Sequence, residues 1–331
     1  MSSKTMPKSQ SLIDEILRSD SFGSLKAERD IAVKTQALGW SSVHGFYFED
    51  LTTGKNREID VAAERYWKRK ISKIEMRSSV QMLIEVKTMK GFHLFVSAKD
   101  EAEQQPLLQH ILWLGDSNEK YLDLVAAIDE FDLSAAETNR VVKSLNHYAY
   151  PSGYMRRPMA SVHVRPPVIP VFNAFRETNI GAEKNLDNSV FWKASESLRS
   201  AYESIKREWR LNALDSIKMH FEMARRRSKR WVDEAVYWTK SDFNFVKMIH
   251  PVVVTDAKIW CVHPTNTKEI GCARFAMQDS LHSAEWWCDV VNSSWIDHYL
   301  QGVSNHYDSW MFKSYPVGFD VEGSEELEVL Q

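Results

Sequence analysis

The sequence predicts an α/β protein, and three observations carry that reading. Residues 24–38 place apolar side chains at helical spacing. Residues 80–88 form a nearly unbroken apolar run of the kind buried in the middle of a sheet. Turn-rich stretches separate these segments from their neighbours. With 44% hydrophobic and 26% charged residues in a chain of 331, the composition is that of a globular protein and excludes a disordered, collagen-like or disulfide-stapled one. The length allows one elaborated domain or two smaller ones.

Taken in order, the first helix is expected from Ser24, as N-cap, to Leu38, with Gly39 as its stop. Two strands follow, Ser42–Glu49 and Glu58–Ala63, joined by a turn-rich connection over 51–56. A basic segment from Arg65 to Arg77 leads into the buried run Val80–Thr88, and Phe92–Ser97 is another short strand. Helical patterning takes over from Glu101 to Leu145. Five of the ten prolines fall between Pro151 and Pro170, marking an irregular connection assigned to 151–186. A long helix opens near Asp187 or Asn188 and runs past Trp209, with Phe191, Leu198, Tyr202, Ile205 and Trp209 at helical spacing. Two strands, Pro251–Thr255 and Lys258–His263, flank Asp256 and Ala257. A strand at Trp286–Val291 and a helix at Ser294–Leu300 complete the region 187–319.

The net charge is −3, and five acids without a base lie in the last twelve residues (Asp320, Glu322, Glu325, Glu326, Glu328). Without that tail, expected to be mobile, the body is mildly basic. No apolar run approaches the roughly 18 residues needed to span a bilayer, and the first residues lack a signal-peptide core. The three cysteines suit a reducing compartment, so a cytoplasmic protein with no membrane partner is expected. Cys261, His263, Cys272 and Cys288 lack the paired C-x₂-C knuckle of structural zinc sites. No Walker A loop, G-x-S-x-G elbow or H-E-x-x-H motif occurs.

The residues that carry chemistry lie in the first 90. At 3.6 residues per turn, Ile31, Thr35 and Leu38 share an arc with Glu28 at its margin, while Lys26, Arg29, Asp30 and Lys34 face away. An unpaired carboxylate on the inward face is costly, so Glu28 needs a partner. In the strand 57–63, alternation sends Ile59, Val61 and Ala63 one way and Glu58, Asp60 and Ala62 the other. In the buried run, Glu85 and Lys87 share a face with Leu83. If the two strands are neighbours beneath the helix, three carboxylates and a lysine converge, and hard oxygen ligands of that kind suit Mg²⁺ or Mn²⁺.

This order resembles the PD-(D/E)xK nuclease superfamily: Glu28 on a helix, a hairpin ending in Arg57-Glu58-Ile59-Asp60-Val61, then Ile84-Glu85-Val86-Lys87-Thr88, with 25 residues from Asp60 to Glu85. The proline that often precedes the aspartate is absent. The resemblance covers roughly residues 24–115. It implies a restriction-endonuclease-like mixed β-sheet core within 1–150, flanked by helices, with 187–319 as a helical and β elaboration that completes the sheet. By the same resemblance Asp60, Glu85 and the backbone carbonyl of Val86 ligate Mg²⁺ or Mn²⁺, Lys87 orients or deprotonates the attacking water, and Glu28 holds a metal-bound water or a second metal. The implied activity is metal-dependent hydrolysis of DNA, by family habit within bacterial defence and alongside partner proteins of such a system. Double-strand cleavage commonly takes two sites, so a homodimer is implied, with the long helix after Asp187 as interface.

Arg65, Lys68, Arg69, Lys70 and Lys73, beside Tyr66 and Trp67, form the expected phosphate-contacting segment. A second basic run, Arg225 to Arg230, reads equally as a solvated helix end. The alternative function is a non-catalytic nucleic-acid-binding or scaffold subunit that keeps the fold, with the Glu85–Lys87 pair a buried ion pair and nothing more.

Overall fold

The computed structural model describes residues 15, 17, 19–71, 74–89, 91–98, 110–113, 128–141, 171–179, 182–183, 189–227, 229–243, 245–263, 266–278, 285–313 and 327–330. The chain opens with α1 (Asp20–Ala37) and the hairpin β1 (Ser41–Asp50) and β2 (Lys55–Ile71), followed by β3 (Ile74–Lys87), β4 (Phe92–Ala98), β5 (His110–Trp113), β6 (Val171–Asn179) and β7 (Ala182–Glu183). Two helices, α2 (Val190–Arg227) and α3 (Trp231–Phe243), precede β8 (Phe245–Thr255), β9 (Lys258–His263), β10 (Asn266–Ile270), β11 (Cys272–Gln278) and β12 (Glu285–Asn292). A 3₁₀ turn (Ser293–Trp295), α4 (Ile296–Lys313) and β13 (Leu327–Leu330) close the described chain.

All thirteen described strands belong to one mixed sheet ordered β1-β2-β3-β8-β12-β11-β6-β4-β9-β10, with β13 on β2, β5 on β8 and β7 on β6. Its centre is parallel: β3 pairs with β8, and β8 with β12. The ladder β1-β2-β3 is antiparallel. The expected completion of the sheet by the later part of the chain is therefore seen at β8, which lies directly against β3. The fold is α/β with a mixed sheet flanked by helices, α1 and α4 on one face and the first half of α2 on the other. Among the described residues no helix is long and apolar enough to cross a membrane.

Several boundaries differ from the expectation, each for a physical reason. The N-cap of α1 is Ser19, whose hydroxyl accepts from Phe22 N–H, so the helix begins a turn before Ser24. Gly39 does stop it, at φ +81°. The basic segment after Arg65 is not a separate connection: β2 runs on to Ile71 and turns back as β3, so Lys68 lies opposite Arg77 in a long ribbon. Within the stretch 101–145 expected to be helical, His110–Trp113 is a strand on β8 and only 128–129 and 135–141 are helical among the described residues. The connection assigned to 151–186 contains β6 and β7, while Pro151–Pro170 lie outside the described residues. The strands either side of Asp256 do not pair with each other, since β9 joins β4 and β10. Leu327–Leu330, expected to be mobile, pair with residues 66–69 of β2, beyond the last β1 pair at Glu64.

The long helix starts where Ser189 caps it, accepting from Trp192 N–H at 3.1 Å. Phe191, Leu198, Ala201 and Ile205 bury against Leu83, Ile249 and Val253 of the sheet. The apolar face of the first half of the helix is thus part of the protein's own core.

Candidate active site

Continuing the β2–β3 register one residue beyond Val61↔Ile84 sets Asp60 opposite Glu85. Directly opposed residues of an antiparallel pair share a face, and the side chains confirm it. Lys87 Nζ donates to Glu85 Oε2 at 2.6 Å and reaches Asp60 Oδ2 at 3.4 Å, while Val86 N–H donates to Asp60 Oδ2 at 2.6 Å. Two carboxylates and one ammonium therefore meet at the carboxyl end of a central strand. Glu85 is 3% exposed, Asp60 19% and Lys87 30%. Ser197 of α2 hydrogen-bonds Glu85 from the other layer.

Burial pushes the Glu85 carboxyl up to about 7, with the neighbouring Asp60 charge adding to the shift and Lys87 and Ser197 opposing it. Burial alone would lower the Lys87 ammonium, but the two carboxylates outweigh it and hold the group above its ordinary range. Lys87 is consequently a cation throughout the physiological range.

One part of the expected alternation fails. Val61 and Ala63 pack in the layer of α1 and α4, but Ile59 packs with Ala62 in the layer of α2. The change of face falls at Asp60, which lies opposite Gly45 in a β1–β2 register that runs unbroken from His44↔Val61 to Phe46↔Ile59. Gly45 has φ +75°, and a Cβ there would lie 2.7 Å from Glu58 Oε1. Only glycine adopts that conformation at no cost while a side chain lies over it.

Glu28 has the partner its inward position requires. It accepts from Ser24 Oγ at 3.0 Å and meets His44 Nε2 at 2.9 Å, on the α1 side of β1. Among the described residues no group of three His, Cys, Asp or Glu side chains is placed to hold a metal. An α1 acid that shares a cavity with Lys87 is Asp30. Together with Ile31, Thr88, Thr255, Asp256 and Ser293 it lines a cavity of about 300 Å³ whose wall includes Lys87, at the carboxyl ends of β3 and β8. The helical wheel turns Asp30 outward, and the cavity alongside α1 makes that outward position a lining one. In open α/β sheets the crevice beyond the carboxyl ends of the strands is the usual ligand position.

The expected phosphate-contacting segment divides. Arg65 is 13% exposed and engaged in the fold: its guanidinium meets Asp308 at 3.2 Å and Leu38 O at 3.4 Å, and it lies 5.5 Å from the Trp67 ring centroid. Trp67 is core, 2% exposed, with Nε1 donating to Asp308 and its ring edge-on to Trp40. Tyr66 is exposed. Lys68 is half-buried, the side chains of Arg69 and Lys70 lie outside the described residues, and so does Lys73 entirely.

A second polar cluster has no counterpart in the sequence reading. Asp289 of β12 binds Arg274 of β11 through both oxygens at 2.6 and 2.8 Å, and its Oδ2 lies 2.9 Å from His250 Nε2 and accepts from Tyr299 at 2.8 Å. His250 Nδ1 is 2.7 Å from the Tyr307 hydroxyl, and Arg274 stacks 4.3 Å from the Trp287 ring centroid. Burial would raise Asp289, but Arg274 and His250 hold it at about 2. Burial lowers His250, which is therefore neutral. All five polar groups are buried, so the cluster ties α4 to the sheet.

Compared with family models, with curated proteins and with solved structures, the chain matches none of them.

Proposed function

We propose that this protein is a metal-dependent nuclease of the PD-(D/E)xK kind, hydrolysing phosphodiester bonds of DNA. The observation that carries the reading is the meeting of Asp60, Glu85 and Lys87 at the carboxyl end of β3, beside a cavity. The donor set fits a hard divalent cation: Asp60, Glu85 and the Val86 carbonyl present oxygen alone. When bound, Mg²⁺ or Mn²⁺ supplies the charge that offsets the build-up on the phosphate oxygens. Lys87, held as a cation, donates to the attacking water and stabilises the developing negative charge; its protonation leaves it no part as the base. The cavity whose wall includes Lys87 lies on the α1 side, so a phosphodiester there would reach the Lys87 ammonium.

A second reading has its own support. Glu85 is 3% exposed and ion-paired to Lys87 at 2.6 Å, a geometry that a purely structural pair would also show. On that reading the chain is a nucleic-acid-binding or scaffold subunit without catalysis. Plasmid nicking in Mg²⁺ and Mn²⁺, compared with the Glu85→Ala, Lys87→Ala double variant, separates the two. The nuclease reading expects cation-dependent nicking by the parent alone; DNA binding without nicking leaves the second.

A further inference from the structure

We propose that the cavity at the carboxyl ends of β3 and β8 holds one guanine nucleotide, its base on the apolar floor and its Watson–Crick edge on Asp30. That the nucleotide belongs to an unpaired DNA strand rests on the nuclease reading, whereas the guanine site does not. Ile31, Val86, Val254 and Ile296 form the floor, and all four belong to the core shared by α1, α4 and the sheet. α1 stands on one side of it and the 3₁₀ turn leading into α4 on another. An apolar surface between such walls suits the flat face of an unpaired base, which is held by apolar packing and by hydrogen bonds to its edge. The volume, about 300 Å³, is at the small end of ligand sites. It admits a single nucleotide and excludes a duplex, whose major groove alone is about 12 Å wide.

The charged lining residues select the base. They are four, Asp30, Lys34, Lys87 and Asp256, and three are already engaged. Lys34 pairs with Asp297 at 2.8 Å, Lys87 pairs with Glu85 at 2.6 Å, and Asp256 accepts from Met89 N–H. Asp30 is exposed and makes no hydrogen bond or ion pair among the described residues. A carboxylate offers two acceptors and no donor, so it favours a ligand with two adjacent N–H groups. Guanine presents N1–H and N2–H side by side on its Watson–Crick edge. Adenine and cytosine present one amino group beside a ring acceptor, and the single N–H of thymine lies between two carbonyl oxygens. The Lys87 ammonium complements the phosphate of the same nucleotide.

Gly23 offers a way to close the cavity without touching a polar group. It lines the cavity from within α1, and a Cβ there would meet nothing within 4 Å. A larger side chain at this position enters open space, and leucine favours a helix over glycine.

The test is titration calorimetry of the full chain with the four deoxynucleoside monophosphates, without divalent cation. The parent should bind dGMP saturably and about tenfold more tightly than dTMP, the discrimination that one two-point contact supplies. G23L should keep at least the parent's urea midpoint and lose saturable dGMP binding. D30N should lose the preference for guanine, because an amide replaces one acceptor by a donor. No saturable dGMP binding by the parent would overturn the proposal, as would undiminished binding by folded G23L or an unchanged base order in D30N. Competition against dGMP identifies the source. Displacement by oligothymidylate carrying one central dG, and not by its duplex, assigns the nucleotide to an unpaired strand; displacement by neither leaves the free nucleotide as the ligand. Equal displacement by the duplex, or by oligothymidylate lacking the dG, would also overturn the proposal. Cleavage in Mg²⁺, followed alongside, keeps the two readings apart. Guanine binding without cleavage removes the nuclease and leaves the site; cleavage without guanine binding removes the site alone.

Discussion

Lys87 Nζ stands 2.6 Å from Glu85 Oε2, and the two residues project from the same face of β3 two positions apart. The strand period makes them neighbours, and burial under α2 makes each depend on the other, since Glu85 is nearly enclosed and Lys87 is its closest positive charge. The same contact that lets the strand fold thus holds an ammonium at the wall of the cavity.

Lys87→Ala should therefore act on chemistry and stability together. Cleavage is expected to fall by about 10²–10³, with DNA affinity nearly unchanged, because the lost charge matters most as charge develops on phosphorus. Folding stability should fall by about 1–3 kcal/mol, the cost of a buried carboxylate without its partner, moderated by the partial exposure of Lys87. Single-turnover cleavage beside urea unfolding reads both effects; parental cleavage by the variant would remove Lys87 from the site.

The raised Glu85 carboxyl sets a pH dependence. Its folded value of about 7 lies above the ordinary 4.5, so the folded state binds more protons than the unfolded state between them. The contribution is fully present below 4.5 and is lost as pH rises through about 7. Cation-free protein should lose stability over that interval, and Glu85→Gln should flatten the profile there, in denaturation midpoints measured at constant ionic strength. Since the cation competes with the proton, Mn²⁺ affinity should rise over the same interval, with proton release seen by calorimetry in buffers of different ionisation enthalpy.

Glu28→Gln should leave Mn²⁺ affinity and cleavage within about threefold of the parent, because its partners are Ser24 and His44 and both can still hydrogen-bond an amide. A loss of a hundredfold would place Glu28 in the machinery after all.

Arg274→Met should destabilise the fold by about 3–5 kcal/mol, since it leaves Asp289 buried and unpaired. Adding Asp289→Leu should recover a large part of that loss, a coupling a double-mutant cycle in urea would detect. With Asp289 held at about 2, its stabilisation is complete above 3.8 and disappears as pH falls through about 2. Equal and additive losses from the two substitutions would mean that the pair is not acting as a unit.

The sequence by itself determined the parts whose cause is local. The apolar run 80–88 marked the buried half of β3, the strand period set Glu85 and Lys87 on one face, and Gly39, with its left-handed backbone, marked the end of α1. Tertiary structure decided whatever depends on which surface covers a residue. Glu28 and Asp30 lie two positions apart on α1, and only the placement of β1 and of the 3₁₀ turn made the first a partner of His44 and the second a wall of the cavity. Arg65 reads as a free base until α4 brings Asp308 against it. His250, Asp289 and Arg274 stand far apart in the chain, on three strands whose adjacency no local pattern encodes. Propensity and period act over a few residues, whereas the burial that selects a side chain's partner is set by elements folded from distant sequence.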